Sequence, residues 1–82
     1  MASTKTIHVM IAKVDGPLFD GEAMSVTVPG VEGEMTILPE HTALISPLHK
    51  GVITVHKDDG EEFFEIQEGT LEVSGNRATI LM

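Results

Sequence analysis

The sequence predicts an all-β protein, an antiparallel β-sandwich or flattened barrel of about eight to ten short strands. Apolar and polar residues alternate with a period of two in short segments, the spacing of a strand with one buried face. Eight glycines and four prolines are spread so that only residues 1–15 run longer than eight residues without one. Helices of ordinary length, about 11 residues, therefore have almost no room, and tight turns must separate the segments.

The first half of the chain starts with alternation over residues 7–12, which places Ile7, Val9 and Ile11 on one face. The same period predicts strands whose shared face carries these residues: Met24, Val26, Val28, Met35 and Ile37. Turn chemistry lies between the segments, and predicts turns at Asp15-Gly16-Pro17, at Asp20-Gly21 and at Pro29-Gly30.

The second half contains the strongest local signal, a hairpin from Val52 to Gln67 that turns at residues 57–61. Asp59-Gly60 lies in this turn between β-branched and aromatic runs, and Asp-Gly favours two-residue hairpin turns. Further turns are expected at Glu68-Gly69 and at Ser74-Gly75-Asn76. Alternation in this half places the following residues on a common face: Ile53, Val55, Phe64, Ile66, Leu71, Val73, Ala78, Ile80 and Met82.

Composition limits the classes of protein that the chain can represent. Its 82 residues form a single domain, residues 1–82, and 41% hydrophobic residues make it too apolar for disorder. The absence of cysteine excludes disulfides and cysteine-based metal sites. No apolar run approaches the ~18 residues of a membrane helix, and the first residues lack the apolar region of a signal peptide. We therefore expect a soluble protein that stays in the compartment where it is made.

The formal net charge of −8 argues against binding to nucleic acid and against electrostatic docking on anionic lipid. An acidic surface keeps a small protein soluble, and some carboxylates can also steer assembly with basic partners. Six acidic residues fall between positions 58 and 68. This run fits a solvated hairpin tip and outer strand face, with a docking surface as the alternative.

Catalytic and metal sites are not predicted. The chain has no nucleophile motif and no phosphate-binding loop, because residues 29–33 lack the Lys-Ser/Thr ending. Glu32 and Glu34 are close enough for acid–base work in principle, but alternate strand positions usually point together into water. The four histidines, at positions 8, 41, 49 and 56, lack the spacing of a recognised metal site. We expect no catalytic residue, no metal and no cofactor.

The most informative stretch is Val28–Leu44, which reads VPGVEGEMTILPEHTAL. Its core pattern is Pro29-Gly30-x-x-Gly33-Glu34-x-x-Ile37-Leu38-Pro39-x-His41, preceded by GPLFDGE at residues 16–22 and followed by GTLEV at residues 69–73. In residue type and spacing, the chain resembles the N-terminal β-domain of the epsilon subunit of F-type ATP synthases. The resemblance extends from about residue 6 to residue 80. It implies a ten-stranded β-sandwich, in agreement with the alternation.

The resemblance also implies two partner surfaces. In this family, one loop of the sandwich lies against polar loops of the membrane c ring, which carry a basic residue. This role falls on Val31, Glu32, Gly33 and Glu34. A second segment lies against the γ subunit, a role that falls on His41, Leu44 and Ser46. These residues also have local explanations. The glycines can serve turn geometry, Glu34 can be a solvated turn acid, and His41 can pack within its loop. Leu44, Ile45 and Leu48 can be core positions.

The chain departs from the family pattern at three places. Thr36 stands where the family usually has Gly, and Thr42-Ala43 stands where it usually has Ala-Pro. The sequence ends at Met82, after the last predicted strand, whereas family members normally continue into two antiparallel helices. Those helices can inhibit hydrolysis and, in some members, bind ATP. We therefore assign neither property to this sequence.

These observations lead to one functional hypothesis and two alternatives. The hypothesis is a non-catalytic rotor-stalk subunit that binds γ and the c ring and couples ion translocation to ATP synthesis or hydrolysis. It predicts a peripheral protein on the cytoplasmic face of an energy-coupling membrane, most simply a bacterial plasma membrane. The alternatives are a small ligand-binding sandwich, such as a carbohydrate module, and an unrelated interaction adaptor. The lack of Trp and Tyr argues against a carbohydrate site, which usually stacks sugars on aromatic rings.

Overall fold

A computed structural model describes residues 5–82 and contains nine β-strands and no helix in that range. The described residues therefore contain no helix that could cross a membrane. The strands are β1 (Ile7–Lys13), β2 (Gly16–Ala23), β3 (Ser25–Gly30), β4 (Gly33–Ile37), β5 (Leu44–Leu48), β6 (Gly51–Lys57), β7 (Gly60–Ile66), β8 (Gly69–Ser74) and β9 (Arg77–Leu81).

The nine strands form one strongly curled sheet with the order β2-β1-β9-β8-β5-β3-β6-β7, and β4 pairs with β3. The sheet folds over between β5 and β3, where a single residue pair, Gly30 with Leu48, joins the two strands. Two layers result: β2-β1-β9-β8-β5, which we call layer A, and β4-β3-β6-β7, which we call layer B. The predicted fold class, a sandwich or flattened barrel of eight to ten short strands, is confirmed.

One strand pair departs from the antiparallel pattern. β1 and β9 run parallel, with Val9 opposite Ala78 and Ile11 opposite Ile80. The other strand pairs among the described residues are antiparallel. Alternation in the sequence shows which face of a strand is buried, but it carries no information about which distant strand lies beside it.

The predicted hairpin between β6 and β7 is confirmed, with Lys57 paired to Gly60 across the turn. The turn predicted at Asp20-Gly21 is wrong, because β2 continues through these residues and Gly21 pairs with Val9. A Cβ atom on Gly21 would lie 3.6 Å from the Phe19 ring. This distance is an ordinary van der Waals contact, so Gly21 is a regular strand residue beside the ring and does not turn the chain.

The core lies between the two layers and consists of aliphatic side chains. The buried apolar residues are Ile7, Val9, Ile11, Ala23, Val26, Val28, Ile37, Leu48, Ile53, Val55, Ile66, Leu71, Val73, Ala78 and Ile80. Met35, Phe64 and Met82 are partly buried and pack against this cluster. Met24 is the exception among the residues predicted on the common face. It lies between β2 and β3 and is 37% exposed, because the chain passes there from one layer to the other.

Aromatic side chains close the sandwich at its far edges, where β2 of layer A meets β7 of layer B. The rings of Phe19 and Phe64 pack edge to face, with centroids 5.9 Å apart. The Lys57 ammonium lies 5.9 Å from the centroid of the Phe19 ring. Such contacts add to the stabilisation that burial of the rings supplies. They hold together two edge strands, β2 and β7, that are not paired with each other.

Candidate functional site

The tip of the β3–β4 hairpin is formed by the four residues predicted to face the c ring. Val31 and Glu32 make the turn, and Gly33 and Glu34 begin β4. All four are exposed, and Val31 is 51% exposed in spite of its apolar side chain. The structure therefore brings this predicted set together at one solvent-facing corner.

Backbone geometry determines the shape of this tip. Gly33 has a φ of 134°, a conformation that side chains with a Cβ atom rarely adopt. A Cβ atom on Gly30 would lie 2.7 Å from the Gly33 carbonyl oxygen, so the two strands approach too closely for any other residue. Both glycines are therefore required by the turn itself.

Two backbone hydrogen bonds attach the hairpin to β5. The N–H of Val31 donates to the carbonyl oxygen of Pro47 at 3.3 Å, and the N–H of His49 donates to that of Pro29 at 3.0 Å. Both bonds are made by residues at the β3 end of the hairpin, Pro29 and Val31. They join the base of the tip to β5 and to the residue that follows it.

An open groove of about 380 Å³ lies between the hairpin tip and β5. Its lining residues are Gly30, Val31, Glu32, Gly33, Glu34, Met35, Ile45, Ser46 and Pro47. Two carboxylates face this groove and none of these lining residues is basic, so the groove suits a basic side chain of a partner. Ser46, predicted to face γ, is found here beside the residues predicted to face the c ring.

The other two residues of the γ set lie elsewhere. His41 is half-buried in the connection between β4 and β5, and its Nδ1 lies 2.7 Å from the carbonyl oxygen of Thr42. Leu44 is half-buried, packs against the core and pairs with Val73 of β8. The three residues of this set therefore follow β5 along its length and do not form one cluster.

Ile45, for which a core position is the alternative raised above, is exposed, and that alternative is wrong for this residue. Its side chain is 73% exposed on the outer face of layer A, opposite Glu72 of β8. Strand alternation predicts this exposure, because Leu44 faces the core and the period of two then turns Ile45 outward. An exposed isoleucine on a regular strand is a candidate contact for a partner.

The acidic run at residues 58–68 is partly neutralised within the hairpin. The Nδ1 of His56 lies 2.8 Å from a carboxylate oxygen of Glu61, and the Nζ of Lys57 donates to Glu62 at 2.6 Å. The bond to Glu62 is the main cause that raises the pKa of Lys57 above its ordinary value. These contacts leave Glu61 and Glu62 less available for a partner than the acids of the β3–β4 tip.

No group of three or more histidines and carboxylates within residues 5–82 could hold a metal ion. Every fully buried side-chain nitrogen and oxygen in that range has a hydrogen-bond partner, so no orphaned polar atom points to an unseen ligand. The features that the structure does show at this corner are an acidic tip, a groove beside it and an exposed strand face.

Comparison with known proteins identifies the family. Residues 6–82 match the family model described as "ATP synthase, Delta/Epsilon chain, beta-sandwich domain", and the chain belongs to this family. The chain is 43% identical over 77 residues to the ATP synthase epsilon chain of Polaromonas naphthalenivorans, covering 93% of this chain and 56% of that relative. It is 42% identical over 78 residues to the corresponding chain of Nitratiruptor sp., covering 94% and 60%. The chain thus spans somewhat more than half the length of these relatives.

Two solved structures share the fold. A chain of the Euglena gracilis mitochondrial ATP synthase superposes with a TM-score of 0.86 at 20% identity, covering all of this chain and 52% of that one. A chain of the Tetrahymena thermophila mitochondrial ATP synthase, from a structure of the central stalk and c ring, superposes with a TM-score of 0.76 at 17% identity. That match covers 98% of this chain and 65% of the other. The resemblance seen in the sequence is confirmed.

Proposed function

We propose that this protein is a non-catalytic subunit of the central stalk of an F-type ATP synthase, which joins the γ subunit to the c ring. Such a subunit transmits rotation driven by ion translocation to the catalytic head. It is peripheral to the energy-coupling membrane, on the cytoplasmic face, and meets the membrane only through the complex. The observation that carries the proposal is the acidic hairpin tip on a family-matched sandwich.

The hairpin tip, residues 31–34, is proposed as the contact with the c ring. Glu32 and Glu34 are exposed beside the groove, and backbone hydrogen bonds join the base of this hairpin to β5. Complementary charge between these acids and a basic loop sets orientation and speeds assembly more than it adds affinity. Each exposed ion pair contributes only about 0–1 kcal/mol. We therefore expect the shape of the tip to matter as much as its charge.

The outer side of β5 and the preceding connection are proposed as the contact with γ. This surface includes His41, with Ile45 as its apolar centre, and Ser46 adjoins it from the other face of the strand, where it lines the groove. Leu44 supports it from below, because its side chain packs against the core and holds β5 in place. An exposed apolar side chain surrounded by polar ones is typical of the centre of a protein–protein contact. The two contacts are continuous, since β5 runs from one to the other.

Cysteine crosslinking within a reconstituted synthase tests both assignments, because the chain has no cysteine of its own. The Glu34→Cys variant should crosslink to a polar loop of the c ring, and His41→Cys should crosslink to γ. Asp58→Cys is the matched control, because it is exposed in the turn at the opposite end of layer B. Crosslinking of Glu34→Cys to γ, or of Asp58→Cys to the c ring, would contradict the orientation proposed here.

A charge reversal complements the crosslinks. Glu34→Lys should lower the coupling of ion translocation to ATP hydrolysis more than Glu65→Lys, an exposed acid on the outer face of β7. Glu61 and Glu62 are less suitable controls, since replacement of either breaks an ion pair inside the hairpin. If Glu65→Lys is the more damaging change, the acidic face of layer B is the docking surface and the assignment of the tip is wrong.

A further inference from the structure

A cluster around His8, on the outer face of layer A, has no part in the proposed contacts. The Nδ1 of His8 lies 3.0 Å from a carboxylate oxygen of Glu22, and the Nε2 lies 2.5 Å from one of Asp20. Both acids belong to β2, where Glu22 is directly opposite His8 in the ladder. A single imidazole ring on β1 therefore bridges two carboxylates of the neighbouring edge strand.

The protonation state of the ring decides whether both contacts can be hydrogen bonds. A neutral imidazole has one N–H donor, whereas the imidazolium has two, and a carboxylate can only accept. The bonds to Glu22 and then to Asp20 raise the pKa of His8 above its ordinary value of 6.5. The bonds from Thr6 and then His8 lower the pKa of Glu22.

The two carboxylates differ in what else holds them. The hydroxyl of Thr6 donates to Glu22 at 2.7 Å, so this carboxylate stays in place whatever the charge on the ring. Within residues 5–82, His8 is the hydrogen-bonding partner found for the Asp20 carboxylate. When the ring loses a proton, it keeps one N–H for two carboxylates. Because Thr6 holds Glu22 in place, whereas the exposed Asp20 can turn away, donation from Nδ1 to Glu22 is the arrangement that relieves the repulsion. A nitrogen lone pair then faces Asp20, and this contact becomes repulsive.

Other charged groups surround the cluster. Arg77 of β9 lies opposite His8 in the ladder, on the side away from β2. Lys57, Asp58 and Asp59 line a cleft together with Thr6 and Glu22. His8 is the only imidazole among these groups. Near neutral pH, the group of this cluster that loses a proton is therefore the His8 ring, which contacts Asp20.

We propose that His8 acts as a proton-dependent clamp on edge strand β2: the charged ring holds both Asp20 and Glu22, and loss of its proton releases Asp20. The released residue directly follows Phe19, whose ring closes the sandwich against Phe64. Release therefore loosens the middle of β2 next to this aromatic contact. The inference does not depend on the proposed contacts with γ and the c ring.

His56 provides an internal control within the same chain. Its Nδ1 lies 2.8 Å from a Glu61 oxygen, while its Nε2 lies 3.0 Å from the Thr27 hydroxyl. A hydroxyl can donate to a neutral ring nitrogen or accept from a charged one, so both protonation states of His56 satisfy both neighbours. The surroundings of this second histidine therefore contain no contact that depends on the charge of the ring.

The pH dependence of the stabilisation by His8 follows from the direction in which folding shifts the pKa of this residue. A pKa raised by folding means that the clamp contributes fully below pH 6.5, and that this contribution is lost as pH rises through the folded-state value. The stability difference between the wild type and His8→Gln should therefore shrink as pH rises from 6 towards alkaline values. A stabilisation by His8 that grows with pH contradicts the clamp.

Nuclear magnetic resonance of the isotope-labelled protein tests the clamp directly. The side-chain carboxyl carbon of Asp20 should show a step at the pH where the His8 ring titrates, above 6.5. Amide hydrogen exchange at residues 19–21, corrected for its intrinsic pH dependence, should accelerate about two- to fivefold across that step, the range that an exposed ion pair supports. Amides of β6 and β7 should show no step over the same pH range.

The Asp20→Asn variant separates a clamp from a merely structural contact. An amide can accept from the charged ring or donate to the neutral one, so the pH step in exchange at residues 19–21 should disappear. Persistence of the step in this variant overturns the proposal. So does a His8 ring in the wild type that titrates at or below 6.5, or an Asp20 carboxyl signal that does not follow it.

Discussion

Gly33 and Gly60 allow a matched test of the hairpin tip. Each begins the second strand of a hairpin after a two-residue turn, with a φ of 134° and 140° respectively. Neither would bring an added Cβ atom within 4 Å of a neighbouring atom other than those of its chain neighbours. A substitution by alanine therefore introduces the same backbone strain at both positions without a steric clash. The two glycines therefore share turn length and backbone conformation, and they lie at opposite ends of layer B.

The expected loss of unfolding free energy follows from the backbone strain in each variant. Strain of this kind costs on the order of 1–3 kcal/mol per residue. An 82-residue domain at ordinary stability per residue has an unfolding free energy of roughly 4–12 kcal/mol. Each variant should therefore fold, and each kcal/mol lost should lower its Tm by about 4–8 °C. We expect similar losses for Gly33→Ala and Gly60→Ala, measured by thermal and urea denaturation.

Their effects on assembly should differ. Gly33→Ala has to move the turn that carries Val31 and Glu32, whereas Gly60→Ala changes a turn at the opposite end of layer B. Rebinding to a synthase depleted of this subunit, followed by ATP-driven ion pumping, should be impaired for Gly33→Ala alone. The measurement is made at a temperature where both variants are folded. Equal impairment, or a greater loss for Gly60→Ala, would refute the assignment of the β3–β4 tip.

The strand pattern and the core could be predicted from local sequence. Alternation depends only on the period of two, and it correctly identified buried positions as far apart as Val9 and Ile80. Met24 fails because the chain leaves one layer there, and a change of layer interrupts the period. Gly21 fails for a different reason. A glycine in the sequence does not distinguish a turn from a position within a regular strand, such as that of Gly21 opposite Val9.

Pairing and proximity could not be predicted in this way. β1 lies beside β9 although about seventy residues separate them. This pairing buries both strands between their neighbours in the sheet, and local alternation does not encode it. Ser46 lies in the groove beside Glu34 for a similar reason, since the single contact of Gly30 with Leu48 joins the layers at that point. The family resemblance supplied the candidate interface residues, and only the tertiary fold showed which of them are neighbours.

Two further predictions concern the core and the outer face of layer A. Leu71→Ala removes a fully buried side chain and should lower the unfolding free energy by about 2–5 kcal/mol in urea denaturation. Ile45→Ala should change it by less than about 0.5 kcal/mol, and equal losses would contradict the burial of the two residues. Ile45→Asp should fold normally, since the side chain is 73% exposed, yet should weaken binding to γ because a charge replaces the apolar centre of the contact beside Glu72. A central apolar residue of an interface is commonly worth about 2 kcal/mol or more, so a loss of roughly thirtyfold in affinity is expected. Phe63→Asp is the matched control, because Phe63 is an equally apolar and similarly exposed residue on the outer face of layer B. If Phe63→Asp weakens binding to γ as much as Ile45→Asp does, γ contacts layer B, and the proposed position of β5 in the interface is wrong.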